Sequence, residues 1–237
     1  MTTIARRQLS SPPIRFGELP STITFRIREP GSALTHFAAF IGVIAGAGPL
    51  LLEAREHAGR AAEAYVAVFL LSALLLYAAS TVYHTVVLPE KPTRVFKKLD
   101  HSMISVLIAG TYTPVCLLAL PGPTGTALLA AVWAMAVLGI GFKLFWVTCP
   151  RWVSSVLYLA MGWVCLFAMV PLIHALTPAG LFWLVLGGLL YSAGAVIYAL
   201  RRPAFDARHP YFGTHEIFHC FIMAGTLAHY VFMFHLL

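Results

Sequence analysis

Charged residues are scarce in this sequence. Asp, Glu, Lys and Arg make up 11% of its 237 residues, against about 25% in an ordinary globular domain, while 59% are hydrophobic. Too few polar side chains are present to cover a surface in water, which excludes a soluble globular domain. Acidic residues are the rarer sign, nine against 16 Lys and Arg. Because the basic excess lies between apolar runs, it indicates membrane topology and not nucleic-acid binding.

Two further absences narrow the choice. The four cysteines include no C-x-x-C pair, which predicts packing residues instead of disulfides. Residues 1–28 contain no short apolar core followed by a small-residue cleavage site, so we expect no signal peptide. This basic segment is predicted to be a mobile cytoplasmic tail, and residues 29–237 the membrane domain.

Long apolar runs fill the rest of the chain. Each is close to the ~20 residues with which a helix crosses ~30 Å of hydrocarbon. The runs span residues 33–52, 64–88, 101–120, 124–142, 153–173, 179–200 and 214–237. The sequence therefore predicts an all-α membrane protein, a bundle of seven transmembrane helices.

The distribution of Lys and Arg predicts the orientation of this bundle. All of these residues except Arg55 and Arg60 fall in the N-terminal tail or in the second, fourth and sixth loops, which share one side of a seven-helix bundle. Basic segments stay in the cytoplasm. We therefore expect a multi-pass protein of the cell membrane with its N-terminus in the cytoplasm and its C-terminus outside.

Five polar groups interrupt the apolar runs at one depth. On this topology Ser80 and His84 lie near the cytoplasmic end of the second helix. Asp100 lies in the first turn of the third, and His215 and His219 lie in the first turns of the seventh. Residues four apart share one face of a helix. Charged groups inside a bilayer cost about 2.5–3.5 kcal/mol each on insertion scales, so this convergence indicates a functional site.

The chemistry of this set is that of a metal site. His84, His215 and His219 supply three imidazoles, and with a fourth position left for water they match the open tetrahedral geometry of catalytic Zn²⁺. Asp100 would accept a hydrogen bond from that water and take its proton. Ser80 would donate to the water or to a developing oxyanion. We therefore predict Zn²⁺ as the cofactor, three histidine ligands, and Asp100 and Ser80 as catalytic residues.

Each of these residues also has a structural interpretation. Asp100 can pair with Lys97, Lys98 or His101 at the membrane face, and Ser80 can bond to a carbonyl of its own helix. Glu29, just before the first run, is expected to be a solvated interfacial charge. The other intramembrane histidines, taken singly, are expected to be hydrogen-bonding groups between helices; they are His36, His174, His229 and His235.

The segment H-E-I-F-H at 215–219 allows one further hypothesis. It fits the pattern H-E-x-x-H, in which the glutamate is the general base of a metalloprotease. With only three fixed positions the pattern is often met by chance, and Glu216 lies about 100° around the helix from the histidines. An intramembrane protease is therefore the less favoured hypothesis.

Several longer stretches resemble one known family, the bacterial haemolysin III branch of the progestin and adipoQ receptor family. The two most specific are F-K-K-L-D-H-S-M-I-S-V-L-I-A-G-T-Y-T-P (96–114) and H-E-I-F-H-C-F-I-M-A-G-T-L-A-H-Y (215–230). The others are E-P-G-S-A-L-T-H (29–36), A-S-T-V-Y-H (79–84), M-G-W (161–163) and G-G-L-L-Y-S-A-G-A-V-I-Y (187–198). The resemblance covers about residues 29–237.

The resemblance implies a function as well as a fold. It implies seven helices around a zinc site near the cytoplasm, with ligands at His84, His215 and His219, the water-holding carboxylate at Asp100 and the hydroxyl at Ser80. The family is grouped with alkaline ceramidases, so a zinc-dependent hydrolase of lipid amides or esters, acting in membrane-lipid homeostasis, is the first hypothesis. Membrane lipids would be its partners. A non-enzymatic, zinc-stabilised sensor or a channel-like haemolysin is the alternative.

Overall fold

Within residues 27–237, the part of the chain that the computed structural model describes, all regular structure is helical. This confirms the predicted all-α class; the tail, apart from Ile27 and Arg28, lies outside the described residues. The helices are α1 (Pro30–Glu53), α2 (Gly59–Thr85), α3 (Glu90–Pro114), α4 (Pro123–Phe145), α5 (Arg151–Gly162), α6 (Met169–Ala175), α7 (Pro178–Leu200), α8 (Pro203–Arg208) and α9 (Thr214–Leu236). Four of them, α1, α4, α7 and α8, begin with proline, whose missing N–H costs no hydrogen bond at that position.

Six helical segments in residues 27–237 are long and apolar enough to cross a membrane, one fewer than the seven runs of the sequence. The difference lies at the first segment, Pro30–Thr85, because a π-helical turn (Ala54–Ala58) joins α1 to α2 without a break in helical structure. The chain reverses there at Gly59, whose φ of 85° suits a residue without Cβ. At the other end, the backbone N–H of Glu29 donates to the carbonyl of His84 at 2.9 Å, so α1 and α2 are antiparallel neighbours.

The long helices form a ring. α1 packs on α2 and α9, α2 on α3, α3 on α4, α5 on α3, α4 and α7, and α7 on α9. Small residues allow close approach, since a Cβ on Gly225 would lie 2.5 Å from the Tyr191 ring and one on Gly110 would lie 2.2 Å from Ser72 Oγ. α2 contributes much of the core, with Val66 and Phe69 fully buried.

Three local features differ from the sequence prediction. α3 begins at Glu90, so the basic stretch 91–98 is helical and Asp100 lies in the third turn of the helix instead of the first. The predicted fifth run is broken, because a 3₁₀ segment (Trp163–Ala168) separates α5 from α6. Lys143, counted as a loop residue for topology, is fully buried near the end of α4.

Candidate metal centre

Three histidines meet at one end of the bundle. His84 comes from the last turn of α2, and His215 and His219 come from the first two turns of α9. One ring nitrogen of each lies within 4.8 Å of the others, and the Nε2 atoms of His84 and His215 are 3.4 Å apart. Two nitrogens bonded to one tetrahedral ion at ~2.0–2.1 Å would be about 3.3 Å apart. The three side chains can therefore hold a metal ion without a large rearrangement.

Hydrogen bonds donated by Nδ1 orient two of the three rings. Thr35 donates its hydroxyl hydrogen to α1 carbonyls, of Ser32 at 2.9 Å and Gly31 at 3.1 Å, so its oxygen is left to accept from His219 Nδ1 at 3.1 Å. Glu29 accepts a short hydrogen bond from His84 Nδ1. Both partners favour the Nδ1–H tautomer, which leaves Nε2 with a free lone pair for a metal.

Glu29 is thus part of the centre and also the solvated charge that the sequence predicts, because its side chain is 47% exposed. Burial raises the pKa of this carboxyl, but the hydrogen bond from His84 and the nearby Arg28 guanidinium outweigh burial and lower the pKa to about 2. The carboxylate is therefore ionised at neutral pH. An ionised partner makes a stronger hydrogen bond to His84 and increases the basicity of that ring.

An apolar cavity of about 150 Å³ lies beside the histidines. Asp100, His215 and His219 line it at one end, and its α3 wall runs from Asp100 to Tyr112, about 18 Å at 1.5 Å per residue. Most of the other lining residues are apolar, such as Ile104 and Leu184. Asp100 Oδ2 also lies 3.3 Å from His101 Nδ1, so the pairing with His101 that the sequence left open is partly formed.

Ser80 is fully buried on α2, one turn before His84. Its hydroxyl has no hydrogen-bond partner among residues 27–237, so it does not bond back to its own helix. Neither Ser80 nor His84 lines the cavity, whereas Asp100 does. A buried hydroxyl without a partner costs free energy. Together with the three imidazoles, it fits a site that receives a metal ion and water.

His36 is the residue of the centre that sequence reasoning missed most clearly. Its ring stacks on that of His219, with centroids 3.6 Å apart and planes at 12°, and it lines the cavity. Ser32, Thr35 and His36 lie on one face of α1, so a polar stripe at helical spacing in an apolar helix was the available signal.

Glu216 and Asp206 fix the start of α9. The Glu216 carboxylate accepts from the Ser32 hydroxyl of α1 and, at 2.8 Å, from the backbone N–H of Gly213. Asp206 accepts from the N–H of Thr214 at 2.7 Å and from its hydroxyl, and these bonds lower the pKa of Asp206. Both oxygens of Glu216 have protein partners, which gives this residue a structural role. That role accounts for Glu216 without the protease hypothesis.

Comparison with known proteins agrees with this picture. A family model described as "Haemolysin-III related" matches residues 25–230. Hemolysin-3 of Bacillus cereus is 38% identical over 84% of this chain and 86% of its own length, and the hemolysin-3 homolog of Bacillus subtilis (strain 168) is 37% identical over 86% and 92%. The adiponectin receptor protein of Drosophila melanogaster is 27% identical over 87% of this chain and 50% of its own length. No solved structure matches the chain.

These matches and the apolar helices together identify a multi-pass membrane protein, and the bacterial relatives indicate the cell membrane. The expected location is therefore confirmed.

Proposed function

The chain belongs to the haemolysin III family, and from that premise we propose that it is a zinc-dependent hydrolase of lipid amides or esters, acting in membrane-lipid homeostasis. One observation carries the proposal. The apolar cavity has the length and lining of a slot for an acyl chain, and it ends at Asp100, His215 and His219. A lipid lying in it would present its polar end to the histidines.

The roles of the residues follow from their chemistry. His84, His215 and His219 would hold the ion, which when bound supplies Lewis acidity and a water of lowered pKa. Asp100 would accept the proton of the attacking water and pass it to the leaving amine or alcohol. Ser80, whose hydroxyl lacks a protein partner, would donate a hydrogen bond to the water or the oxyanion. Overall, an amide and water give a carboxylic acid and an amine.

The first test is metal content by mass spectrometry on detergent-purified protein, followed by a screen for lipid hydrolysis. We expect about one zinc per chain, lost in His84→Ala and His219→Ala. Asp100→Asn should keep most of the zinc but lose hydrolysis by at least the ~10² that a general base contributes. Glu56→Gln, the same charge change at the far end of the bundle, is the matched control. Undiminished hydrolysis by Asp100→Asn would show that Asp100 is not the general base. Folded wild-type protein without bound metal would contradict the zinc-dependent hydrolase.

We also propose that the bundle crosses the membrane seven times with the N-terminus in the cytoplasm. The reversal at Gly59 and the antiparallel packing of α1 and α2 support two crossings in the segment Pro30–Thr85. Excess basic charge near the end that carries the histidines supports the orientation. The metal centre would then lie on the cytoplasmic side.

A further inference from the structure

A second cluster of polar side chains lies outside the metal centre, between the end of α4 and the start of α5. Lys143 Nζ lies 3.2 Å from Cys149 Sγ and donates a hydrogen bond to Ser154 Oγ, and the Cys149 sulfur lies 3.3 Å from the Ser154 oxygen. All three side chains are buried, and none of them lines the apolar cavity. This cluster of an amine, a thiol and a hydroxyl is therefore separate from the proposed lipid site.

The buried ammonium group of Lys143 has no ionic partner. No carboxylate of residues 27–237 forms an ion pair with it, and a buried charge without a partner carries a high cost in free energy. Cation–π contacts with the rings of Phe142 and Tyr158, at 5.5 and 5.7 Å, offset part of this cost. A reaction that turns the ammonium into an uncharged group is therefore favoured at this position.

Among residues 27–237, Cys149 is the one cysteine that meets a lysine. The sulfurs of Cys116, Cys165 and Cys220 have no lysine within hydrogen-bonding distance in this part of the chain. Cys149 lies in the loop between α4 and α5 and is 8% exposed, which leaves room for a small oxidant but hinders a bulky thiol. An amine held in contact with the sulfur also has a very high effective concentration. Once the sulfur is oxidised, Lys143 is therefore its first available partner.

We propose that Lys143 and Cys149 are a reversible modification site, at which hydrogen peroxide joins nitrogen to sulfur through one oxygen atom as an N–O–S bridge. The first peroxide transfers one oxygen to the thiol, giving a sulfenic acid, and leaves as water. With a second peroxide as electron acceptor, the amine nitrogen bonds to the sulfenic oxygen. In sum, one ammonium, one thiol and two peroxides give one uncharged bridge, three waters and one proton. Sulfur and nitrogen each lose two electrons, and each peroxide accepts two. This site does not depend on the proposed hydrolase function.

Peptide mass spectrometry tests the bridge directly. Detergent-purified protein is treated with hydrogen peroxide, unfolded, alkylated and cut with trypsin. Because trypsin needs a free lysine amine, it no longer cleaves after Lys143 in the bridged protein, so residues 99–151 stay in one peptide that contains both partners. We expect fragment ions that carry one additional oxygen and two fewer hydrogens between Lys143 and Cys149. A reducing phosphine added before digestion should restore cleavage after Lys143 and a free thiol at Cys149.

Controls show whether the folded contact is required. Lys143→Met keeps the thiol without the amine and Cys149→Ser keeps the amine without the thiol, so neither should form the bridge. Protein unfolded before treatment should form at least about tenfold less of it, because the effective concentration of the amine is lost. Cys220, which is exposed, shows in the same sample that the peroxide has reacted.

Oxidised Cys220 beside an unmodified Lys143 in the folded wild type would overturn the proposal. So would Cys149 recovered as a sulfinic acid with cleavage after Lys143 intact, or a bridge that forms equally well in the unfolded protein.

Discussion

At the scale of single residues, the hydrogen bonds on Nδ1 determine which histidine nitrogen is available to a metal. Thr35 accepts from His219 and Glu29 accepts from His84, and each leaves Nε2 unprotonated and directed away from its partner. These contacts come from α1 and from Glu29, the residue just before it, and this segment supplies none of the three candidate ligands. The ligands and the groups that orient them therefore lie in different segments of the chain.

This arrangement predicts that Thr35→Val weakens metal binding while leaving the three ligands in place. Valine has nearly the same shape as threonine but cannot accept from His219 Nδ1, so the tautomer and the ring orientation are no longer fixed. Loss of such a partner typically costs 10–100-fold in metal affinity, and we expect about tenfold here, measured by competition with a chromophoric zinc chelator. Thr126→Val, an exposed position at the start of α4, is the control. Equal affinities in the three proteins would contradict the role of Thr35.

The sequence predicts the three histidines but not their partners, for a physical reason. Spacing of four along α9 and a common depth bring His84, His215 and His219 together whatever the details of packing. The partners depend on how α1 is rotated about its axis. The polar stripe of Ser32, Thr35 and His36 indicates which face of α1 turns inward, but not which of its groups contacts which histidine. Glu29 also lies before the first helical residue, where its direction is set by the backbone bonds between residues 28–29 and 84–85.

At the scale of helices, the sequence predicts which segments are helical better than it predicts where each helix begins and ends. The charged residues before Asp100 predict that it lies in the first turn of its helix, yet α3 starts at Glu90. An ion pair of 2.8 Å between Arg94 and Glu90 supports the first turns of α3. The 3₁₀ segment Trp163–Ala168 after α5 contains no proline or charged residue from which the break could be predicted. Tyr112 supports this break from α3, since its hydroxyl donates to the Gly162 carbonyl and accepts from the Cys165 N–H at 2.9 Å.

Lys143 was expected in a loop but lies near the end of α4, where its charged group makes hydrogen bonds inside the protein. Its ammonium group donates to Ser154 Oγ and, at 3.2 Å, to Cys149 Sγ, which ties α4 to the following turn and to α5. We predict that Lys143→Ala destabilises the protein by about 2–3 kcal/mol, because hydrogen bonds from a charged group and the packing of the aliphatic stem are lost together. The measurement is the thermal unfolding temperature in detergent.

Lys143→Met separates the two contributions. Methionine keeps most of the stem, and Cys149 Sγ and Ser154 Oγ, 3.3 Å apart, can still pair with each other, so this variant should unfold between Lys143→Ala and wild type. Lys91→Ala, at an exposed position in α3, should have little effect. An unfolding temperature of Lys143→Ala equal to that of wild type would show that the buried ammonium is not a structural tie.

At the scale of the whole molecule, α1 connects the two helices that carry the histidines. The backbones of α2 and α9 make few close contacts with each other, whereas α1 packs along both. Side chains complete the link, with Tyr77 of α2 donating to Thr226 of α9 at 2.7 Å. A metal held by His84, His215 and His219 would join α2 and α9 directly, and its binding free energy would then stabilise the packing of these two helices.

The orientation of the bundle can be tested from both sides of the membrane. In a cysteine-free background, single cysteines replace Arg60, at the start of α2, and Arg208, at the end of α8; both positions are exposed. We predict that a membrane-impermeant thiol reagent labels Arg60→Cys on intact cells and labels Arg208→Cys only after the membrane is opened, because basic segments stay in the cytoplasm. Since α8 leads directly into α9, labelling at Arg208 reports the side on which His215 and His219 lie. The reverse pattern would place the metal centre at the outer face, where zinc and substrate would be drawn from outside the cell.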